Sequence, residues 1–328
     1  MKILIFEYIN GGGCAKTELP PSLAREGWLM LTAVLNDLMA SGEHELSVLL
    51  DWRRVNTVPQ GIRMITVKPH DDVLAIFTEA LQACDAVLPI APETEQILWT
   101  LCTRVEQLGK RLLSSAANAV AKTADKLETF NILSTHNIPT VPSHRLDKYP
   151  YFYAQGTVIK ARDDAGCEQC FICHNNDEFE RLLNSLDNPE HYLIQPFITG
   201  VALSISALFK EGVGTILSVN RQLISIHDNH RLKLTGCEVN YSMDKTPFQL
   251  IVNQIALALP DLWGYAGIDL IKHGEQLVVV EINPRLTSSY TGINQALGLN
   301  VMALVLQLLD GDATPVPTKN QTIHIQLT

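Results

Sequence analysis

The sequence predicts an α/β protein in which an N-terminal, doubly wound parallel sheet is followed by a part of α+β character. Two patterns carry the prediction. Over residues 1–115, short apolar runs alternate with segments of helical periodicity, which is typical of a parallel sheet covered by helices. From Ala119 onward the pattern changes to a β-loop-β unit and later to a β-hairpin. A chain of 328 residues is long enough for two or three domains, each with its own core.

The first domain, residues 1–115, contains five predicted strands and three predicted helices. The strands are apolar runs at 2–8, 46–50, 62–67, 86–90 and 111–114. The helices are expected at 23–41, 71–84 and 94–108, with Ser22 as the N-cap of the first. Alternation of this kind places ligand-binding loops at the carboxyl end of the strands.

A glycine-rich stretch follows the first strand. Residues 10–17 resemble a phosphate-binding P-loop, but Asn10 and Ala15 stand where that motif needs glycine. We therefore expect Gly11–Gly13 to form a flexible loop. Glu7, at the end of the strand, is a candidate substrate contact, and a loop that binds no ligand is the equal alternative.

The second part contains two further predicted regions, a central one at 116–190 and a C-terminal one at 191–328. Helices are expected from Lys122 to about 135 and at 177–186, 247–259 and 294–307. Strands are expected at 157–160, 170–173, 201–208, 215–219, 221–226, 268–271 and 276–282. Residues 227–233 and 236–241 are predicted as polar loops, and 314–318 as an extended tail.

The predicted hairpin within residues 264–290 carries a set of oxygen ligands. Asp269 lies on its first strand, and Glu281 and Asn283 share one side of the second, because side chains alternate faces along a strand. Two carboxylates and an amide suit a hard cation such as Mg²⁺ and leave positions for phosphate oxygens. Arg285 follows, with a planar fork suited to a phosphoryl group. The alternative is an ordinary, half-exposed polar hairpin.

Two other groups of residues have the composition of a metal site. The spacing of Cys167, Cys170 and Cys173 resembles part of the ligand motif of an iron–sulfur cluster. On a strand, however, residues three apart point to opposite faces, so the thiols would not converge on one cluster. Asp228 and His230 lack a third partner and fit a solvated active-site loop better. We therefore favour the hairpin as the metal site.

Composition excludes some classes of function. The formal net charge is −10 and there is no lysine- or arginine-rich run, so nucleic acid is not an expected partner. No apolar run approaches the ~18–20 residues of a membrane span, so a membrane is not expected either. The first residues lack the pattern of a signal peptide, and seven cysteines are an odd number, which favours reduced thiols in the cytoplasm.

The ordered motifs of residues 120–290 resemble those of the ATP-grasp carboxylate–amine ligases. Thr123-Ala-Asp-Lys126 resembles the family's first phosphate-binding lysine, and Val158-Ile-Lys160 its second. Residues 192–200 resemble the hinge that contacts adenine, with Gln195, Phe197 and Ile198 at the matching positions. The resemblance therefore implies an ATP-grasp fold behind the N-terminal domain.

The same resemblance implies the chemistry of the site. Asp269, Glu281 and Asn283 would hold Mg²⁺, with Mn²⁺ possible, and Lys160 and Arg285 would act as catalytic residues. ATP would phosphorylate a carboxylate, and an amine would then attack the acyl phosphate with release of ADP and phosphate. In many relatives a glutamate two residues after the hinge glycine binds the ribose hydroxyls of ATP. This chain has Ala202 at that position.

A narrower resemblance is to the tyramine–glutamate ligases of methanofuran biosynthesis. The matching stretches are Phe6-Glu7, Arg25-Glu-Gly-Trp-Leu-Met30, Asn220-Arg-Gln222 and residues 281–290. It implies that a small-molecule carboxylate and an amine are the partners, and a homodimer is possible. An ATP-grasp enzyme of other specificity and a non-catalytic nucleotide-binding regulator remain the alternatives.

Overall fold

The computed structural model describes residues 1–42, 44–54, 57–163, 169–226 and 230–327, and three sheets organise them. The first is parallel, and the other two are antiparallel wherever their named strands pair. The expectation of an α/β chain whose later part is α+β is therefore confirmed. The domain boundaries at residues 115 and 190 stay a prediction.

The N-terminal sheet has five strands in the order β3-β2-β1-β4-β5. They are β1 (Lys2–Glu7), β2 (Glu45–Asp51), β3 (Arg63–Val67), β4 (Ala86–Ile90) and β5 (Arg111–Leu112). The helices are α1 (Pro21–Ala40), α2 (Val73–Gln82) and α3 (Ile97–Gln107). Ile3 and Ile5 of β1 pack in the core that contains α1, whereas Leu4 and Phe6 pack in the core that contains α2 and α3. Helices therefore cover both faces, as the alternation predicts.

The starts of all three helices differ from the prediction. Ser22 is not an N-cap, because α1 begins at Pro21, whose fixed φ suits the first turn. The cap of α2 is Asp72, whose carboxylate accepts from the backbone N–H groups of Leu74 and Ala75. A 3₁₀ turn, Thr94–Gln96, precedes α3, and the left-handed φ of Glu95 and Gln96 separates it from the helix.

The glycines after β1 do not form a flexible loop. Residues Ile9–Gly13 form one π-helical turn, and Gly11 and Gly12 are buried in it. Gly12 has a φ of 106°, and a Cβ at Gly11 would lie 2.6 Å from the ring of Phe6. The expectation was wrong because these glycines are needed for close packing against the sheet and not for mobility.

The central part of the chain forms a small, separate layer. Helices α4 (Ala117–Ala124) and α5 (Lys126–Thr135) lead into it and pack in the cores of the other two sheets, and the helix of the layer itself is α6 (Asn176–Leu183). Its strands are β6 (His144–Arg145), β7 (Thr157–Ala161), β8 (Cys170–Cys173) and β9 (Tyr192–Pro196), in the order β6-β9-β7-β8. Five buried side chains form its core: Leu146, Ile159, Cys173, Phe179 and Ile194. We call this layer the lid.

The C-terminal sheet has six strands in the order β14-β13-β10-β11-β12-β15. They are β10 (Val201–Lys210), β11 (Val213–Ile226), β12 (Leu232–Ser242), β13 (Gly264–His273), β14 (Gln276–Asn283) and β15 (Ile323–Gln326). The helices are α7 (Thr246–Ala258), α8 (Tyr290–Leu297) and α9 (Val301–Asp310). Three expectations were wrong: β11 is continuous through Asn220, residues 236–241 belong to β12, and Gly298 divides the last predicted helix.

The N-terminal and C-terminal parts share one hydrophobic core. Leu31, Val34 and Leu35 of α1 belong to the same buried cluster as Ile293 of α8 and Val305 of α9. Three polar groups reinforce the contact at Asp37 of α1. The Tyr290 hydroxyl donates to its carboxylate at 2.7 Å, the Asn294 amide at 3.4 Å, and the Asn300 amide to its carbonyl at 2.7 Å.

Across the described parts of the chain, no single helix combines the length and apolarity needed to cross a membrane. The consecutive helices α8 and α9 reach that length and composition only together, with a bend of 98° between them.

Candidate active site

The β13–β14 hairpin brings the proposed metal ligands together. Asp269 and Glu281 are cross-strand partners, and the register shifts immediately after Asp269. The amide of Asn283 donates to Asp269 Oδ2 at 3.3 Å. Such pairing places side chains of one face within contact distance. The structure therefore groups all three residues, and their role as metal ligands stays a prediction.

The two carboxylates of this group differ in their affinity for protons. Burial and the neighbouring Glu281 carboxylate raise the pKa of Asp269 to about 7, against hydrogen bonds from the Gln222 and Asn283 amides. Burial also acts on Glu281, but the charges of Lys126, Lys160 and Arg285 outweigh it and lower its pKa. Glu281 is thus the carboxylate that retains its charge, as a cation ligand requires.

Two lysines of the central part of the chain approach Glu281. Lys126 Nζ lies 3.7 Å from Glu281 Oε2, and Lys160 Nζ lies 4.0 Å from the same oxygen. Lys126 is the first residue of α5, and Lys160 is a buried residue of β7. Two ammonium groups beside this carboxylate are suited to the charge of nucleotide phosphates.

Asp125 fixes the position of the first lysine. Its carboxylate caps α5 through the N–H groups of Leu127 and Glu128, so the predicted single helix is divided at this residue. The Lys126 N–H donates to the carbonyl of Arg162 at 3.0 Å, and the Arg162 guanidinium pairs with Asp125. The start of α5 is thus tied to the residue that follows β7, and the two lysines are held on one side of the site.

Arg285 contacts a residue that the sequence did not indicate. Its Nε and Nη2 each donate at 2.8 Å to one oxygen of Glu93, a buried residue that follows β4. Burial lowers the pKa of Arg285, but the Glu93 carboxylate outweighs it and raises the pKa above its ordinary value. Glu93 therefore orients the arginine across the junction between the N-terminal and C-terminal sheets.

The hinge residues occupy the last strand of the lid and the turn after it. Gln195 is buried, and its amide donates to the Ser143 hydroxyl at 2.6 Å. The Phe197 N–H donates to the carbonyl of Gly156 at 2.9 Å. Among the described residues, Ile198 makes no backbone–backbone hydrogen bond. An adenine contact would therefore use the carbonyl of Phe197 and the backbone of Ile198.

None of the other described candidates lies on the hairpin. Glu7 is 3% exposed and lines a pocket that also includes Arg285. Cys170 and Cys173 are buried at the two ends of β8, and Cys167 and Asp228 lie outside the described residues. His230 lies 3.7 Å from a carboxylate oxygen of Glu178 in the lid, and not at the hairpin.

The hairpin has the donors for a small divalent cation. In the described part of the chain, no group of three or more His, Cys, Asp or Glu side chains could hold a metal. A cation here would rest on two carboxylates and the Asn283 amide oxygen, with phosphate oxygens completing its shell. This set fits Mg²⁺, which is usually bound by few protein ligands together with substrate phosphates.

Comparison with known families agrees with this geometry. A model described as an ATP-grasp domain matches residues 123–289, and one described as a pre ATP-grasp 3 domain matches residues 44–120. The chain belongs to the ATP-grasp family. The ATP-grasp match covers Lys126, Lys160, the hinge and the hairpin.

Two curated relatives match over most of their length. The tyramine–L-glutamate ligase of Methanocaldococcus fervens is 26% identical over 295 residues, which are 89% of each chain. That of Methanocaldococcus jannaschii is 24% identical over 294 residues, 89% of this chain and 84% of the relative. A D-alanine–D-alanine ligase of Fusobacterium nucleatum is 29% identical over 113 residues, 33% of this chain.

Solved structures share the ATP-grasp fold. An ATP-grasp superfamily protein from Archaeoglobus fulgidus has a TM-score of 0.72 at 22% identity, with complete coverage of both chains. A biotin carboxylase from Campylobacter jejuni has a TM-score of 0.69 at 10% identity and covers 99% of this chain and 73% of its own. The protein is an ATP-dependent carbon–nitrogen ligase of the ADP-forming type.

Proposed function

We propose that this ATP-grasp ligase joins glutamate to tyramine or a tyrosine-like amine in the biosynthesis of a methanofuran-type cofactor. The convergence of Lys126, Lys160 and Arg285 around the Asp269–Glu281 pair carries the proposal that ATP is used for phosphoryl transfer. The two tyramine–L-glutamate ligases, similar over 89% of the chain, support the choice of acid and amine.

Each residue of the site has a role in this reaction. Lys126 and Lys160 would bind the nucleotide phosphates, and the backbone of residues 195–198 would contact the adenine edge. Asp269, Glu281 and Asn283 would hold Mg²⁺ or Mn²⁺, which neutralises phosphate charge when bound. Arg285, oriented by Glu93, would stabilise charge on the transferring phosphoryl group.

The chemistry divides into two displacements. A carboxylate oxygen of glutamate attacks the terminal phosphorus of ATP, and ADP leaves with the electron pair of the broken phosphorus–oxygen bond. The amine nitrogen then attacks the acyl carbon, and phosphate leaves with the oxygen that came from glutamate. The nitrogen loses its surplus protons, and the products are an amide, ADP and inorganic phosphate.

Transfer of an oxygen label tests this order of steps. Enzyme, Mg²⁺, ATP, tyramine and glutamate with ¹⁸O in its carboxylates should yield inorganic phosphate that carries one label per turnover, measured by mass spectrometry. Adenylation would instead place the label in AMP and release pyrophosphate. Label in AMP would contradict the acyl-phosphate route and leave the ligase class unchanged.

A ligase of amino acids or peptides is the second candidate. The partial similarity to a D-alanine–D-alanine ligase and the TM-score of 0.66 to an L-amino acid ligase from Bacillus licheniformis favour it. ADP release with a panel of acids and amines separates the candidates. Turnover with another acid, and none with glutamate, would contradict our choice of substrate. A regulator without catalysis would show no ADP release with any pair.

A further inference from the structure

A pocket lies beside the proposed site of phosphoryl transfer, between the N-terminal sheet and the hairpin side of the molecule. Glu7 at the end of β1 and Glu26 of α1 line it, together with Arg285. The rest of the wall is largely apolar and includes Ile9, Leu23, Met30 and Ile90. The pocket therefore has an acidic, partly apolar wall, and the same wall includes the arginine that we assign to the phosphoryl group.

The carboxylate of Glu7 is fixed in this wall. Its oxygens accept from the N–H of Ile9 at 3.1 Å, the N–H of Asn10 at 2.8 Å and the Asn10 amide at 2.7 Å. That amide also donates to the carbonyl of Ala24 in α1 at 2.9 Å. A Cβ at Gly27 would lie 2.4 Å from Glu7 Oε1, so glycine is what lets α1 lie against the carboxylate.

The ionisable side chains of the pocket are mostly carboxylates. Glu7 and Glu26 interact electrostatically, and Glu26 also interacts with Arg285. Among the described residues that line the pocket, Arg285 is the one cation, and both oxygens of Glu93 bind its guanidinium. An ammonium group entering the pocket meets carboxylates, whereas a carboxylate entering it meets no cation outside that ion pair.

We infer that this pocket is the amine subsite of the ligase, where Glu7 and Glu26 bind a primary amine as its ammonium ion. The apolar wall receives the hydrocarbon part of the amine. The pocket selects an amine without a carboxylate over the corresponding amino acid. This assignment rests on the proposed function, because only a ligation reaction needs a nucleophile at this place.

The location is consistent with the transfer step. The ammonium must release one proton to a base or to water before its nitrogen attacks the acyl carbon. The carbon–nitrogen bond then forms, the carbon–oxygen bond to phosphate breaks, and a second proton leaves the nitrogen. Arg285 lines the pocket and interacts electrostatically with Glu281, so the subsite adjoins the place where the acyl phosphate would form.

Hydroxylamine provides a test that separates the subsite from the first step. This small, neutral nucleophile traps an acyl phosphate as a hydroxamate and has no ammonium to bind at neutral pH. Glu7→Gln and Glu26→Gln should raise the KM for tyramine by about tenfold or more and leave hydroxamate formation within about threefold of wild type. Glu79→Gln, an exposed glutamate on α2, is the matched control. Circular dichroism verifies the fold of each variant.

Each outcome has one meaning. Wild type should prefer tyramine to tyrosine by at least about tenfold in kcat/KM, and the two pocket variants should reduce that preference. Equal losses with tyramine and hydroxylamine, or an unchanged KM for tyramine in both variants, would overturn the subsite. If wild type forms no hydroxamate from glutamate, ATP and hydroxylamine, the choice of glutamate as the acid would be contradicted. The variants would then be compared with wild type using the acid that supports ADP release.

Discussion

Replacing Glu7 by glutamine should make the stability of the protein less dependent on pH. The pKa of Glu7 is raised from its ordinary value of 4.5 to about 7, because burial outweighs the hydrogen bonds from Asn10 and Ile9. Below pH 4.5 the Glu7 carboxyl is protonated in both the folded and the unfolded chain, so it does not lower the free energy of unfolding. As the pH rises to 7, the unfolded chain ionises first and stability is lost.

The size of the effect follows from the two pKa values. The pKa of Glu7 is 4.5 in the unfolded chain and about 7 in the folded chain, and each pH unit of this difference corresponds to about 1.4 kcal/mol. Ionisation of Glu7 therefore lowers the free energy of unfolding by about 3 kcal/mol, and this loss is complete above pH 7. Between pH 5 and pH 8, wild type should lose about 2–3 kcal/mol more than Glu7→Gln. Hydrogen bonds that glutamine cannot accept lower the stability of the variant equally at both pH values, so they cancel in this difference.

Urea unfolding of both proteins at pH 5 and pH 8 measures this difference directly. Glu79→Gln serves as the control, because an exposed carboxylate should not change the pH dependence. Asp269, whose pKa is also raised to about 7, contributes equally to all three proteins. If wild type and Glu7→Gln lose the same free energy of unfolding within about 0.5 kcal/mol, the argument from burial is refuted.

Three other predictions concern catalysis. Glu281→Gln should abolish ATP turnover with the circular dichroism spectrum unchanged; turnover within about threefold of wild type at saturating Mg²⁺, less than ~1 kcal/mol of barrier, would show that Glu281 is no metal ligand. Lys160→Ala should weaken binding of ATP more than binding of adenosine in calorimetry, and equal weakening of both would count against a phosphate contact. Glu93→Gln should lower kcat about tenfold with little change in the KM for ATP, because Arg285 loses the carboxylate that orients it. Unchanged steady-state kinetics would mean that Arg285 keeps its position without the Glu93 carboxylate.

Much of the fold is predictable because local patterns determine it. The strands of the N-terminal sheet are apolar runs whose side chains pack on both faces, and such runs are visible without tertiary information. The hairpin is equally local, since Gly274 has the positive φ that its turn requires. Asp269, Glu281 and Asn283 come together as expected because alternation and antiparallel pairing fix which side chains meet.

The errors occur where a polar residue or a glycine has a distant partner. Asn220 looks like a turn residue, but it is buried in β11 and its amide donates to Ser204 and Ser206 of the neighbouring strand. Gly11 looks mobile until the ring of Phe6 is placed against it. Glu93 is separated from Arg285 by 192 residues, so no local pattern could join them.

The shared core of α1, α8 and α9 limits how modular this enzyme is. A cut at residue 115 would expose the apolar sides of α8 and α9 and remove Asp37, the partner of Tyr290, Asn294 and Asn300. The N-terminal sheet is therefore not a cassette that can be exchanged between ligases by recombination at that point. A graft intended to change the amine substrate would have to transfer α1 together with α8 and α9, which pack against it. The lid has its own core and is the part that could be exchanged alone.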